Sequence, residues 1–231
     1  MGSAVRWNNA MAHAADVGVP NPRPLDDVDW HRRLVAGFDD VRAEWDAFAA
    51  SGGRLPLLDD LIQEEQGSTE PWRAGLLVAG GTPVRRLADR FPRTTALALS
   101  VPGIRSALWS VLTPGAELPE HVGSNAGVLR YHLGVVCPHG AGLRVGDRVV
   151  PYREREGVLF DDTVPHSAWN RSDRDRVTLF LELRRPLRGS RDLRNRWTQT
   201  LIGQDRRYRG AAARAAEWDL ALNLATTEGS A

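Results

Sequence analysis

The chain has 231 residues, enough for one domain with appendages, and its 42% hydrophobic content supports a sizeable core. A formal net charge of +1 gives no overall pull toward nucleic acid or an anionic membrane, and neither is expected as a partner. A single cysteine, Cys137, excludes an internal disulfide; with no signal-peptide profile and no apolar run of the roughly 20 residues a membrane span needs, a cytoplasmic protein is expected.

Residues 1–28 hold Pro20, Pro22 and Pro24 with little apolar material and read as an extended lead-in. From about Asp29 to Ser51, Trp30, Leu34, Phe38, Val41, Trp45 and Phe48 recur at steps of four or three, the stripe of one amphipathic helix that Gly52 and Gly53 end. Residues 54–70 are loop-like. Trp72 to Val78 reads as a strand and Thr94 to Ser100 as a short helix. From Ile104 the period shortens to two, with Ala107, Trp109 and Val111 on one face and Leu108, Ser110 and Leu112 on the other. Val128 to Val136 alternates likewise: Leu129, Tyr131 and Leu133 share one face, Arg130, His132 and Gly134 the other. Polar residues beside a glycine on an inward barrel face point to a ligand cavity. Gly142 to Val145 and Arg148 to Tyr152 form a hairpin across Gly146-Asp147; Gly157 to Phe160 and Val177 to Leu183 complete the strands. Residues 29–186 are therefore expected to be mainly β with flanking helices around a double-stranded β-helix, the jelly-roll of the cupin type. Residues 187–231 read as an Arg- and Ala-rich helical appendage. Its helices, about Ser190 to Leu201 and Gln204 to Leu222, read as solvated or as packing on the barrel through Trp197, Leu201, Trp218 and Leu222. The arginines between Arg184 and Arg214 leave open a docking surface for an acidic partner.

His121 and His166 lie 45 residues apart, each at the edge of a short β-rich run, a spacing that suits one metal at the mouth of a barrel. Imidazole suits Fe(II), and the usual oxygenase site adds a carboxylate. Two residues after His121, where that carboxylate would stand, is Gly123. The ordered set Ser110 to Gly115, His121-Val122-Gly123, Arg130-Tyr131-His132-Leu133-Gly134, Phe160-Asp161-Asp162, His166 and Arg176 resembles the aspartyl/asparaginyl β-hydroxylase family of iron- and 2-oxoglutarate-dependent dioxygenases. The resemblance runs from about Trp30 to Pro186. It implies Fe(II) held by two histidines and no carboxylate, with 2-oxoglutarate and O2 as cosubstrates. The implied reaction hydroxylates an unactivated carbon, commonly Cβ of an aspartyl or asparaginyl residue, free or in a peptide, and could belong to a biosynthetic pathway.

On that resemblance His121 and His166 are the metal ligands. Arg176 grips the distal carboxylate of 2-oxoglutarate through its planar fork, with the Ser110 hydroxyl as a second donor. Arg130 and His132 line the cosubstrate and substrate pocket toward an anionic group. Asp162 orients a ligand or reaches a metal-bound water. Each has a plainer reading: Arg176 as one of a solvated run, Ser110 as a core hydroxyl, Arg130 as a buried arginine satisfied by a carboxylate such as Asp161, Asp162 as a turn residue. Val128 stands where vertebrate members carry arginine. His13, His31 and His139 match nothing and read as surface residues. The alternative for the whole chain is a non-redox cupin that binds a metal or small molecule without turnover.

Overall fold

The computed structural model describes residues 2–62, 71–203, 209–210 and 213–217. In chain order it contains α1 (Gly2–Ala15), α2 (Asp29–Ala36), α3 (Phe38–Ala50), α4 (Leu58–Ile62), β1 (Trp72–Ala79), β2 (Thr82–Pro83), α5 (Leu87–Arg90), α6 (Pro92–Leu99), β3 (Ile104–Leu112), β4 (Glu117–His121), β5 (Val128–Val136), β6 (Ala141–Val145), β7 (Arg148–Pro151), β8 (Gly157–Phe160), β9 (His166–Asn170), β10 (Arg176–Arg184) and α7 (Ser190–Gly203). Two antiparallel sheets form: β2-β1-β3-β10-β5-β8 and β4-β9-β6-β7. From β3 to β10 the chain alternates between them except at the β6–β7 hairpin, and β10 returns beside β3. That winding is the double-stranded β-helix, the jelly-roll expected for this segment.

Two apolar layers hold it. Leu34, Phe38, Val41, Trp45 and Phe48 from α2 and α3 pack with Phe91 and with Trp109, Tyr131, Leu133 and Leu179 on the outer face of the six-stranded sheet. Between the sheets lie Leu112, Leu118, Leu143, Val145, Tyr152, Phe160 and Ala168. The helix expected over Asp29 to Ser51 is two helices, broken at Gly37. A side chain there would reach within 2.5 Å of Leu97 on α6, so glycine permits the close crossing and at the same time weakens the helix. His31, expected at the surface, is half-buried and bonds the Tyr131 hydroxyl at 2.9 Å.

The lead-in departs from the extended reading, because Gly2–Ala15 is helical and packs on α7. It has no broad apolar stripe to betray it; polar bonds hold it. Asn8 Nδ2 donates to Asn195 Oδ1 at 3.1 Å, Asn9 Nδ2 to the Ser124 carbonyl at 2.8 Å, and the Ala126 N–H to Asn9 Oδ1 at 2.9 Å. The buried Arg185 guanidinium joins the following segment to the barrel through Asp16 and Asp161. α7 forms as expected, but Trp197 and Leu201 face solvent and do not pack on the barrel; Asn195, Thr198, Gln199 and Ile202 are buried in their place. Most of the helix expected over Gln204 to Leu222, with Trp218 and Leu222, lies outside the described residues. Among those described, no helix is long and apolar enough to cross a membrane.

Candidate active site

His121 ends β4 and His166 begins β9, and the register of the two strands sets them opposite each other. Pro119 has no N–H for the ladder, and the pairing is irregular between Leu118 and His121. The Pro119 carbonyl accepts the His121 Nδ1–H at 2.8 Å. His166 repeats the device, donating Nδ1–H to Val164, two residues before it, at 3.0 Å. A carbonyl only accepts, so each imidazole carries a proton on Nδ1, and it is the Nε2 atom of the neutral ring that presents a lone pair. The ring centroids are 4.1 Å apart. Burial first, then the neighbouring His121, lowers the His166 pKa from its ordinary value and favours the neutral, ligating form.

Asp162 lies beside this pair. A side chain at Gly123 would overlap its carboxylate, and the Gly123 N–H donates to the Asp162 carbonyl at 2.7 Å. The glycine of the HxG motif thus makes room for a carboxylate delivered from another loop. Asp162 Oδ2 accepts Arg130 Nε at 2.8 Å, while Oδ1 is buried with no partner. Among the described residues no group of three or more His, Cys, Asp or Glu is arranged to hold a metal.

Arg130 is also bonded to Glu182, directly across the β5–β10 pair. The plainer reading expected Asp161 as its partner. Asp161 faces elsewhere, accepting Arg185 Nη2 at 2.5 Å and the Thr163 hydroxyl at 2.6 Å. With Asp162 and Glu182 on it, Arg130 is not a free cation awaiting a substrate acid.

Arg176 stands in the opposite condition. It is 2% exposed, Nη1 donates to the Thr178 hydroxyl at 3.0 Å, Nε is buried without a partner among the described residues, and the guanidinium lies 4.8 Å from the Tyr152 ring centroid. The acidic groups nearest it are Tyr152 and Cys137, and burial pushes each up to about 12, so both are neutral at pH 7. Burial lowers the Arg176 pKa, yet arginine keeps its proton in proteins. A buried cation with no counter-anion among the described residues is costly to keep.

Ser110 pairs with Thr178 across β3 and β10, and its Oγ accepts Trp72 Nε1 at 3.0 Å, leaving the hydroxyl proton free to donate. His132 is buried between the two ends of this array. Its Nδ1 is 2.7 Å from the Tyr152 hydroxyl, its Nε2 has no partner, and burial followed by Arg176, His166 and Arg130 holds its pKa well below the ordinary value. Phe160 and Phe180 pack against it at 5.2 and 4.9 Å. The structure therefore gathers all seven predicted residues on one barrel interior and its rim. Thr178, Tyr152 and Glu182 were missed. For Thr178 and Glu182 the signal was present, since strand alternation puts both on the face of Arg176.

Comparison with known proteins identifies the family. The family model for aspartyl/asparaginyl beta-hydroxylase matches residues 36–186. A protein of Rhizobium tropici named ornithine lipid ester-linked acyl 2-hydroxylase is 30% identical over 192 residues, which are 80% of this chain and 68% of that protein. Aspartate beta-hydroxylase domain-containing protein 2 of Homo sapiens is 33% identical over 126 residues, 50% of this chain and 34% of its own length. A solved structure described as a predicted oxalate decarboxylase from Thermotoga maritima aligns with a TM-score of 0.36 at 15% identity, covering 52% of this chain and 86% of that one. With His121, Gly123, His166 and the buried Arg176 all inside the matched residues, this chain belongs to the aspartyl/asparaginyl β-hydroxylase family.

Proposed function

We propose that the protein is an Fe(II)- and 2-oxoglutarate-dependent hydroxylase acting on an unactivated carbon. The observation that carries the reading is Arg176, a buried guanidinium with no counter-anion among the described residues, in the same barrel as two imidazoles that bond only through Nδ1 there. The donor set fits the groups. His121 and His166 would hold iron through Nε2, and Arg176, Thr178 and Ser110 would hold the distal carboxylate of 2-oxoglutarate. His132 would face the cosubstrate's other end. Protein side chains cannot oxidise an unactivated C–H bond, and Fe(II), O2 and 2-oxoglutarate supply that chemistry when bound.

The chain's own part is orientation and exclusion of water. The carbonyls of Pro119 and Val164 fix the two tautomers and ring directions, as partners behind a metal-binding histidine commonly do. Arg130, itself anchored by Glu182, aims the Asp162 carboxylate at the space beside Gly123. Phe160, Phe180 and His132, which burial holds neutral, pack together beside His166 and make that part of the interior apolar.

For the substrate, the family's name supports an aspartyl- or asparaginyl-type side chain, free or in a peptide. A second reading, the acyl chain of an amphiphile, is favoured by two observations. Arg130 is already engaged by two carboxylates, and the Rhizobium tropici relative is named for an acyl position of a lipid. The test is succinate release with a panel of Asp- and Asn-containing peptides, free amino acids and acylated amino acids, with mass spectrometry for a gain of one oxygen. Coupled oxygen gain on one class identifies the substrate. An absence of 2-oxoglutarate and Fe(II) binding would return the chain to the non-redox binding module.

A further inference from the structure

The two faces of α7 are exchanged relative to an ordinary surface helix. Its buried residues are mostly polar: Asn195, Thr198 and Gln199, with Ile202. Its exposed face carries Leu193 at 59%, Trp197 at 66% and Leu201 at 49% exposure. Spaced by four, these three fall within an arc of about 80° and span about 12 Å of helix. The inversion has a cause. Asn195 donates to the Gly127 and Arg185 carbonyls at 3.0 Å each, and Gln199 and Asn125 exchange bonds at 3.0 and 3.1 Å, so the amide face must point inward. The patch continues onto α1, where Trp7 is 51% exposed with the Arg194 guanidinium 3.6 Å from its ring centroid. Exposed arginines 188, 191, 194 and 196 surround it, and the helix's one acid, Asp192, is paired with Arg184 and Arg196. A contiguous apolar patch rimmed by charge marks an interaction surface.

The chemistry of the rim selects the occupant. Tryptophan and leucine at the centre with arginines at the edge match the boundary between acyl chains and anionic headgroups, where indole sits and guanidinium reaches the phosphates. We propose that the face formed by α7 and Trp7 docks the protein on an anionic lipid surface. The overall charge of +1, from which no membrane partner was expected, does not oppose this, because the attraction is local to the patch. The docking elements also hold the site. Asn9 bonds Ser124 and Gln199 bonds Asn125, so both helices grip the loop that leaves His121, and Val122 at its start is exposed. The docking helices are thereby coupled to the loop beside His121, toward a substrate held in the same surface. That last step rests on the hydroxylase reading and deepens its amphiphile alternative; the docking does not depend on it.

The experiment is co-sedimentation of the full chain, without metal or 2-oxoglutarate, with vesicles of phosphatidylcholine alone or mixed with phosphatidylglycerol. The partners are a triple variant (Leu193→Ser, Trp197→Ser, Leu201→Ser) and a charge variant (Arg191→Gln, Arg194→Gln). The wild type is expected to bind the mixed vesicles about tenfold or more tighter than neutral ones and to weaken with added salt. The triple variant is expected to lose about tenfold or more with its thermal unfolding and solution mass unchanged, because all three side chains are exposed. The charge variant should lose the preference for anionic lipid. Absent binding by the wild type, or wild-type binding by the triple variant, overturns the proposal. So does a lowered melting temperature or a changed mass in the triple variant, which would mean that the chain's own segment or a second copy covers the stripe. Vesicle binding with no turnover on any substrate would reject the hydroxylase reading and leave the docking surface standing.

Discussion

Replacing Arg176 by methionine separates a ligand-binding role from a structural one. Among the described residues the guanidinium has one hydrogen bond, to Thr178, and a stacking contact with Tyr152, against the cost of burying a charge with no counter-anion among them. An apolar side chain of similar length removes that cost, so the ligand-free variant should melt at or above the wild-type temperature. Binding should collapse. Truncating one partner of a buried charge pair costs about 2–5 kcal/mol, roughly 30-fold to several thousand-fold in Kd. At a 2-oxoglutarate concentration 100 times the wild-type Kd, ligand stabilises the wild type by about 2.7 kcal/mol, or about 5–10 °C for a domain of this size. A 30-fold weaker variant keeps under about 1 kcal/mol of that. The assay is thermal unfolding under anaerobic Fe(II), with and without 2-oxoglutarate, beside Arg176→Lys, which retains charge but not the fork and should recover only part. A ligand-free variant that melts several degrees lower yet keeps the full shift would refute the assignment and make Arg176 a structural residue.

Three further predictions follow from the same geometry. His121→Ala and His166→Ala should each lose Fe(II) binding in a metal titration, because each contributes one free Nε2; unchanged metal content in both would remove the site. Gly123→Ala should overlap the Asp162 carboxylate and cost about 1–3 kcal/mol of stability in denaturant unfolding, with weakened metal binding, whereas a neutral result would mean the loop gives way freely. His132 has a pKa held well below its ordinary 6.5, so the stability it favours is present above about pH 6.5 and is lost as pH falls toward the folded-state value. The fall in melting temperature between pH 7 and pH 5 should be smaller in His132→Gln, and an identical pH profile would contradict its buried, neutral state.

The barrel was legible because alternation is local. Arg130, His132 and Gly134 on one face of β5 and Leu129, Tyr131 and Leu133 on the other follow from a period of two, and the structure keeps both sets. The histidine pair was legible through motif order, but its support was not. The carbonyls of Pro119 and Val164 and the fit of Asp162 against Gly123 depend on how two loops meet. A carboxylate partner for Arg130 was legible, but not which one, since Glu182 faces it only once β10 pairs with β5. α1 was hidden and α7 was turned the wrong way because their shared interface is made of amides. Asn8, Asn195 and Gln199 read as solvent-facing residues until a second amide lies opposite them. Gly37 carried both a helix break and a close contact with Leu97, and periodicity showed neither.

The most direct test of the central claim is the fate of 2-oxoglutarate. Purified protein is incubated with Fe(II), 2-oxoglutarate and O2, and succinate is measured in the wild type, His166→Ala and Arg176→Met, with each component also omitted in turn. Succinate should require all three components, rise with the true substrate and be lost in both variants. Succinate formed equally by wild type and His166→Ala, or no binding of Fe(II) and 2-oxoglutarate by a folded wild type, would contradict the claim.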